Sequence, residues 1–179
     1  AAAADARSEH AGSVRYHGEH RLAAERQLVW PLFHAMPTSQ NLRFTATVPK
    51  DAEFEHPAGA ALMRRLSSEL ADAGWSTDEM DSWRDCGWSV GCGRRASELE
   101  VVVSQIESGE WMLQVAPRHV PGLISGLFGS KPSATVSDVH ELALAVHRSL
   151  LALQYLGSPQ WRWDGFPDEE HSTPEPRGA

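Results

Sequence analysis

Asp78, Glu79, Asp81 and Asp85 surround Trp83 in the most chemically suggestive stretch of the chain. Paired carboxylates can do acid–base work or hold a hard cation. A calcium loop is not spelled here, because its central glycine and terminal glutamate are missing. The simpler reading is a solvated acidic turn. The functional one is an acidic, aromatic patch that docks an Arg- or Lys-rich partner through a tryptophan anchor.

Histidines and cysteines offer less. His140 and His147 stand two helical turns apart with Glu141 beside the first, whereas a zinc helix wants histidines at i and i+4. His17-Gly18-Glu19-His20 could present two ligands, but Gly18 weakens any helix there, and a metal site needs about three or four convergent groups. No metal and no cofactor is therefore expected. Cys86 and Cys92 do not make a disulfide framework. On one strand they would lie roughly 20 Å apart, so free thiols in a reducing cytoplasm are preferred. Neither has an identifiable base and orienting group, as a nucleophile requires.

The segment from Pro121 to Pro132 contains Gly129-Ser130-Lys131-Pro132 and invites comparison with a phosphate-binding loop. That motif needs Gly directly before Lys and Ser or Thr directly after it. Ser130 and Pro132 occupy those places, so the match fails. What is left is an apolar loop. Leu123, Ile124, Leu127 and Phe128 either cover the core or face a partner.

Tryptophan is abundant from residue 83 onward, at Trp83, Trp88, Trp111, Trp161 and Trp163. Core packing accounts for most of these, since each buries a large area and needs one hydrogen-bond acceptor. Were Trp88 and Trp111 to line a pocket between sheet and helices, Cys92, His119, Asp81 or Asp85 could supply its polar groups.

The elements that must position these groups follow from periodicity. Leu42 to Val48 alternates apolar and polar residues up to Pro49 and predicts a half-buried strand. Leu62, Leu66 and Leu70 recur at i+4 before Gly74, which predicts a helix over 58–73. Strands are predicted over 87–93, 98–106 and 111–115, joined by short turns as an antiparallel meander. A last helix is expected from near Asp138, with Asp138 and Glu141 at capping-box spacing and Gly157 as its stop. A further helix fits 19–35, limited by Gly18 and Pro31.

The expected fold is α+β: two layers, with a roughly four-stranded, mostly antiparallel sheet in the order β-α-β-β-β-α. Helices cover one face, and there is an extra N-terminal helix. One domain is expected over 14–166, preceded by a loose segment at 1–13 and followed by an acidic, Pro-containing flexible tail at 167–179.

Composition narrows the functional classes. At 179 residues and 41% apolar content the chain can build a core. Its net charge of -8 argues against nucleic acid and anionic membrane surfaces, both of which select for Lys and Arg. Leu28 to Met36, the longest apolar run, is broken by Pro31 and His34 and is far short of the roughly 20 residues of a membrane span. Arginine greatly outnumbers lysine, found only at Lys50 and Lys131, which with the abundant alanine suggests a GC-rich bacterial genome. A cytoplasmic location is favoured; the first residue is Ala rather than Met, which leaves export open.

With no catalytic signature, the leading expectation is a non-enzymatic domain that binds another protein, in the manner of an immunity, masking or chaperone-like protein. The alternative is a small-molecule-binding or catalytic domain built on the Trp88–Trp111 pocket. A subunit of an oligomer would instead bury a large apolar contact between copies.

Overall fold

A computed structural model describes residues 39–51, 56–118 and 134–178. The helix expected over 19–35, like the segment 1–13, lies outside the described residues. What is described is an α+β fold: one antiparallel sheet and two helices. In chain order the elements are β1 (Gln40–Thr45), α1 (Ala60–Asp72), β2 (Ser76–Thr77), β3 (Asp81–Trp83), β4 (Gly87–Arg94), β5 (Ser97–Glu107), β6 (Glu110–Pro117), α2 (Val136–Ala152) and β7 (Gly157–Trp163).

The sheet has seven strands rather than four, ordered β2-β4-β5-β6-β1-β7, with β3 also paired to β4. The meander β4–β5–β6 forms its middle, and β1 joins it antiparallel to β6. The additional strands arise at both edges. β2 and β3 lie end to end along β4, interrupted at Asp78–Met80. β7 pairs antiparallel to β1.

Period-two alternation builds the core. Cross-strand pairing sets Trp161, Leu42, Leu113, Val103 and Trp88 in one row on one face, the first four at most 2% exposed. Both helices pack on this face, α1 against β4 and α2 against β6 and β1. Leu62, Leu66 and Leu70 of α1 and Val139, Leu142, Val146 and Leu150 of α2 are its counterpart, all fully buried. Each such side chain contributes about 1.5–3 kcal/mol on leaving water.

The helix ends are closed by local hydrogen bonds. At the end of α1, Trp75 N donates to Leu70 O and Gly74 N to Ala71 O, with Gly74 left-handed at φ 86°. The same pattern ends α2, where Tyr155 N donates to Leu150 O and Gln154 N to Leu151 O. Gln154 therefore takes the left-handed place (φ 59°), and Gly157, expected as the helix stop, opens β7 instead. The N-terminal capping box is Thr135 with Asp138, one turn earlier than the expected Asp138 with Glu141. Thr135 Oγ1 accepts from Asp138 N and donates to the Asp138 carboxylate, which holds that carboxyl's pKa below the usual range, and Thr135 N donates to the same carboxylate and assists.

Residues beyond β7, expected as a flexible tail from 167, carry a set of bonds back to the sheet. Trp161 and Thr173 exchange both backbone hydrogen bonds, at 2.7 and 2.9 Å. Arg177 O accepts from Trp163 Nε1 at 2.8 Å and from Gln40 Nε2 at 2.6 Å.

Candidate interaction surface

The acidic stretch expected as a turn is strand-like and lies on the face of the sheet away from the helices. Asp81 pairs with Ser89 and Trp83 with Gly87, whereas the intervening Ser82 pairs with the core-facing Trp88. Pairing across the sheet then gives two rows on this outer face. One runs Asp81, Ser89, Val102, Gln114, Asn41, Arg162; the other runs Trp83, Gly87, Ser104, Met112, Arg43, Gln160.

A trough of about 240 Å³ lies on these rows. Its floor is Asn41, Val102, Ser104, Met112 and Gln114, and its walls are Trp83 on one side and Gly165–Phe166 on the other. The floor is pre-organised: Gln114 Nε2 donates to Asn41 Oδ1 at 3.0 Å, and Asn41 Nδ2 donates to Gly165 O at 2.9 Å. Both walls carry a stacked guanidinium, Arg84 at 5.0 Å from the Trp83 ring centre and Arg43 at 5.8 Å from that of Phe166. Phe166 is 56% exposed. An antiparallel hairpin positions Trp83: Arg84 and Asp85 take φ of 51° and 57°, and Cys86 N donates to Trp83 O. Two consecutive left-handed residues match the right-handed twist of the strands.

Charge is unequal along the face. Near Phe166, Arg43 is paired with Glu110 and Arg162 with Asp168. Asp168 also accepts from His171 N, the largest cause of its lowered pKa. At the β2–β5 side, Arg118 is hydrogen-bonded to Asp78, which raises its pKa, and the nearby Glu98 and Glu100 act on the same guanidinium. Among the described residues at this side, Asp78, Asp81, Glu98 and Glu100 thus outnumber Arg118 and the Arg84 stacked on Trp83. Gly91 makes room for the Arg118–Asp78 pair to lie on the strand: a Cβ there would stand 2.6 Å from Asp78 Oδ2 and closer still to the guanidinium.

Of the residues singled out from the sequence, Asp78, Asp81 and Trp83 come together on this face. Asp85 sits at the exposed hairpin tip and Glu79 is exposed beside β3. Leu123, Ile124, Leu127 and Phe128, with His119, lie outside the described residues. Phe166 and the floor residues were not singled out. Alternation along β1, β5 and β6 already placed the floor residues opposite the core, but only the pairing of β7 with β1 brings Phe166 to them.

Trp88, Cys92 and Trp111 stand on the helix-covered side of the sheet. All are in the core cluster, 5%, 1% and 2% exposed. Trp88 Nε1 donates to Pro57 O at 2.8 Å and Trp111 Nε1 to Ala46 O at 3.2 Å. Burial pushes the Cys92 thiol up to about 12, with Asp78 adding to the shift, so it stays protonated near neutrality. Cys86 and Cys92 are both free thiols, one exposed in the hairpin turn and one buried in β4. Trp111 also walls a wide cleft of about 660 Å³ near Lys50, Asp51, His56 and Glu107, which neither Trp88 nor Cys92 lines.

The histidines of α2 have structural partners. His147 Nδ1 accepts the indole N–H of Trp161 at 3.1 Å in a buried contact, and His140 Nδ1 lies 3.5 Å from Gln40 Nε2. Among the described residues no group of three His, Cys, Asp or Glu side chains converges as a metal site, and no helix is long and apolar enough to cross a membrane. In comparison with known proteins, the chain matches no family model and no curated sequence.

Proposed function

We propose that this protein is a non-enzymatic interaction domain, of the masking or chaperone-like kind, that binds another protein through the face of its sheet opposite α1 and α2. One observation carries the reading: Trp83 and Phe166, far apart in sequence, wall a single trough whose floor amides, Asn41 and Gln114, are already hydrogen-bonded. Partly exposed aromatic side chains around a concave floor are the usual anchors of protein interfaces. At about 240 Å³ the trough is smaller than the roughly 300–1,000 Å³ of small-molecule sites, and it suits inserted side chains.

Site-specific photocrosslinking in the native host tests this reading. A benzophenone amino acid at position 166 is expected to capture one discrete protein species. The same probe at Leu151, exposed on α2, is expected to capture none. Equal capture from both positions, or none from 166, would remove the proposal.

The second reading, a small-molecule-binding or catalytic domain, draws its support from the cleft beside Trp111, which is within the size range of ligand sites. It is the weaker of the two. The indoles of Trp88 and Trp111 are hydrogen-bonded to backbone carbonyls and the Cys92 thiol is protonated, so these three side chains offer a ligand little polar contact.

A further inference from the structure

We infer that the segment occupying this face is an extended, basic polypeptide, with an apolar side chain seated between Trp83 and Phe166 and Lys or Arg side chains lying over β4 and β5. The inference rests on the interaction reading above and commits it to one partner chemistry.

The argument is charge complementarity beside an apolar anchor site. At the Phe166 end, Arg43 and Arg162 are balanced by Glu110 and Asp168, so that end favours neither sign of charge in a partner. The other end has an acidic excess among the described residues, with Asp78, Glu98 and Glu100 acting on Arg118 and Asp81 on β3 of the same face, against Arg84 stacked on Trp83. Such an excess favours a cationic partner and repels an anionic one.

Spacing makes the geometry specific. Glu100 precedes Val102 of the trough floor by two residues on the same face of β5, a step of roughly 7 Å. Asp81 lies on the same cross-strand row as Val102, two strands away, or roughly 10 Å. In an extended peptide, residues i and i+2 also project from one face at roughly 7 Å. An apolar residue over Val102 and a basic residue two positions on therefore meet the aromatic walls and Glu100 together. The outer face of β4 carries only Gly87, Ser89, Gly91 and Gly93 of its own, with the Arg118–Asp78 pair lying over Gly91, so a partner's basic side chain reaches Glu100 along β5, beside that pair.

The test uses the full chain labelled with ¹⁵N-tryptophan, the indole resonance of Trp83 being assigned with W83F. Two acetylated, extended heptapeptides serve as probes, each with one central leucine. One has arginines two residues to either side, and the other has glutamates there. The arginine peptide is expected to shift the Trp83 resonance saturably, and the glutamate peptide is not. Neutralising Asp81, Glu98 and Glu100 together (D81N/E98Q/E100Q) should weaken the arginine peptide by about threefold per carboxylate, the scale of exposed ion pairs. E69Q/D72N on the helical side should leave it unchanged. Raising salt from about 50 to about 500 mM should weaken it as well.

Equal shifts from both peptides, no shift from either, or full affinity in the triple variant overturns the inference. The two levels separate cleanly. Photocrosslinking that succeeds at position 166 while the peptides fail leaves an interaction domain whose partner is not basic.

Discussion

Strand β4 presents two faces of opposite character, and the contrast extends across the sheet. Toward the helices it presents Trp88, Val90 and Cys92, none more than 5% exposed. Away from them it presents Gly87, Ser89, Gly91 and Gly93. The inner face is specified by packing, since its side chains need only apolar neighbours of complementary shape. The outer face is specified by hydrogen bonds, ion pairs and close backbone approach, none of which needs to contribute much to stability. A face of that second kind is free to serve recognition.

The sharpest way to break this contrast is to truncate neighbours on β6. Leu113→Ala, on the inner face and fully buried, should cost about 2–5 kcal/mol. Met112→Ala, on the outer face, should cost under about 1 kcal/mol in the same urea titration. Comparable losses would mean that the outer face is a second core.

His147 is next in expected effect. The Trp161 indole can only donate, so His147 accepts at Nδ1 and is neutral in the fold. Burial, the largest cause, lowers its pKa, with Glu175 opposing and Arg148 assisting. The unfolded chain therefore binds this proton more readily. The contribution is complete above the unfolded value of about 6.5 and is lost as pH falls from there through the lower folded pKa. His147→Leu should cost about 1–3 kcal/mol at neutral pH by stranding the indole N–H, and should flatten the acid limb of a stability–pH profile. An unchanged acid limb would remove His147 as its origin.

Gly91→Ala should cost about 1 kcal/mol by parting Arg118 from Asp78, and distinctly less when Arg118 is already alanine. Strict additivity would show that the crowding lies elsewhere. The smallest effect belongs to Phe166→Ala, which should alter the unfolding free energy by no more than about 0.5 kcal/mol while weakening partner capture.

How much of this was legible in the sequence follows the same division. Helix α1 and the β4–β6 meander stand out because their apolar residues repeat at 3.6 and 2. The α+β class follows from them. Two- and three-residue strands such as β2 and β3 have no periodicity of their own and exist because β4 offers them an edge. β7 was hidden by Gly157 and Pro159, which read as punctuation, although Gln160-Trp161-Arg162-Trp163 alternates correctly. Gln154 concealed the end of α2 by taking a conformation more usual for glycine. As for the surface, Asp81 and Trp83 could be picked out by residue type alone. Phe166 could not, because it reaches them through Asn41 and Gly165, residues 124 apart in sequence.

The two margins of the sheet have a consequence for how copies of this chain meet one another. A long strand with unpaired backbone groups is a template for other strands, and runaway stacking of that kind ends in fibres. On one margin the template is cut into β2 and β3, too short to register with a neighbour. On the other, Pro159 removes one amide donor, and the reciprocal Trp161–Thr173 bonds engage the backbone of Trp161. Both margins of the described sheet are thus unsuited to edge-to-edge polymerisation, so that the protein at high concentration is expected to stay clear of growth from the rim.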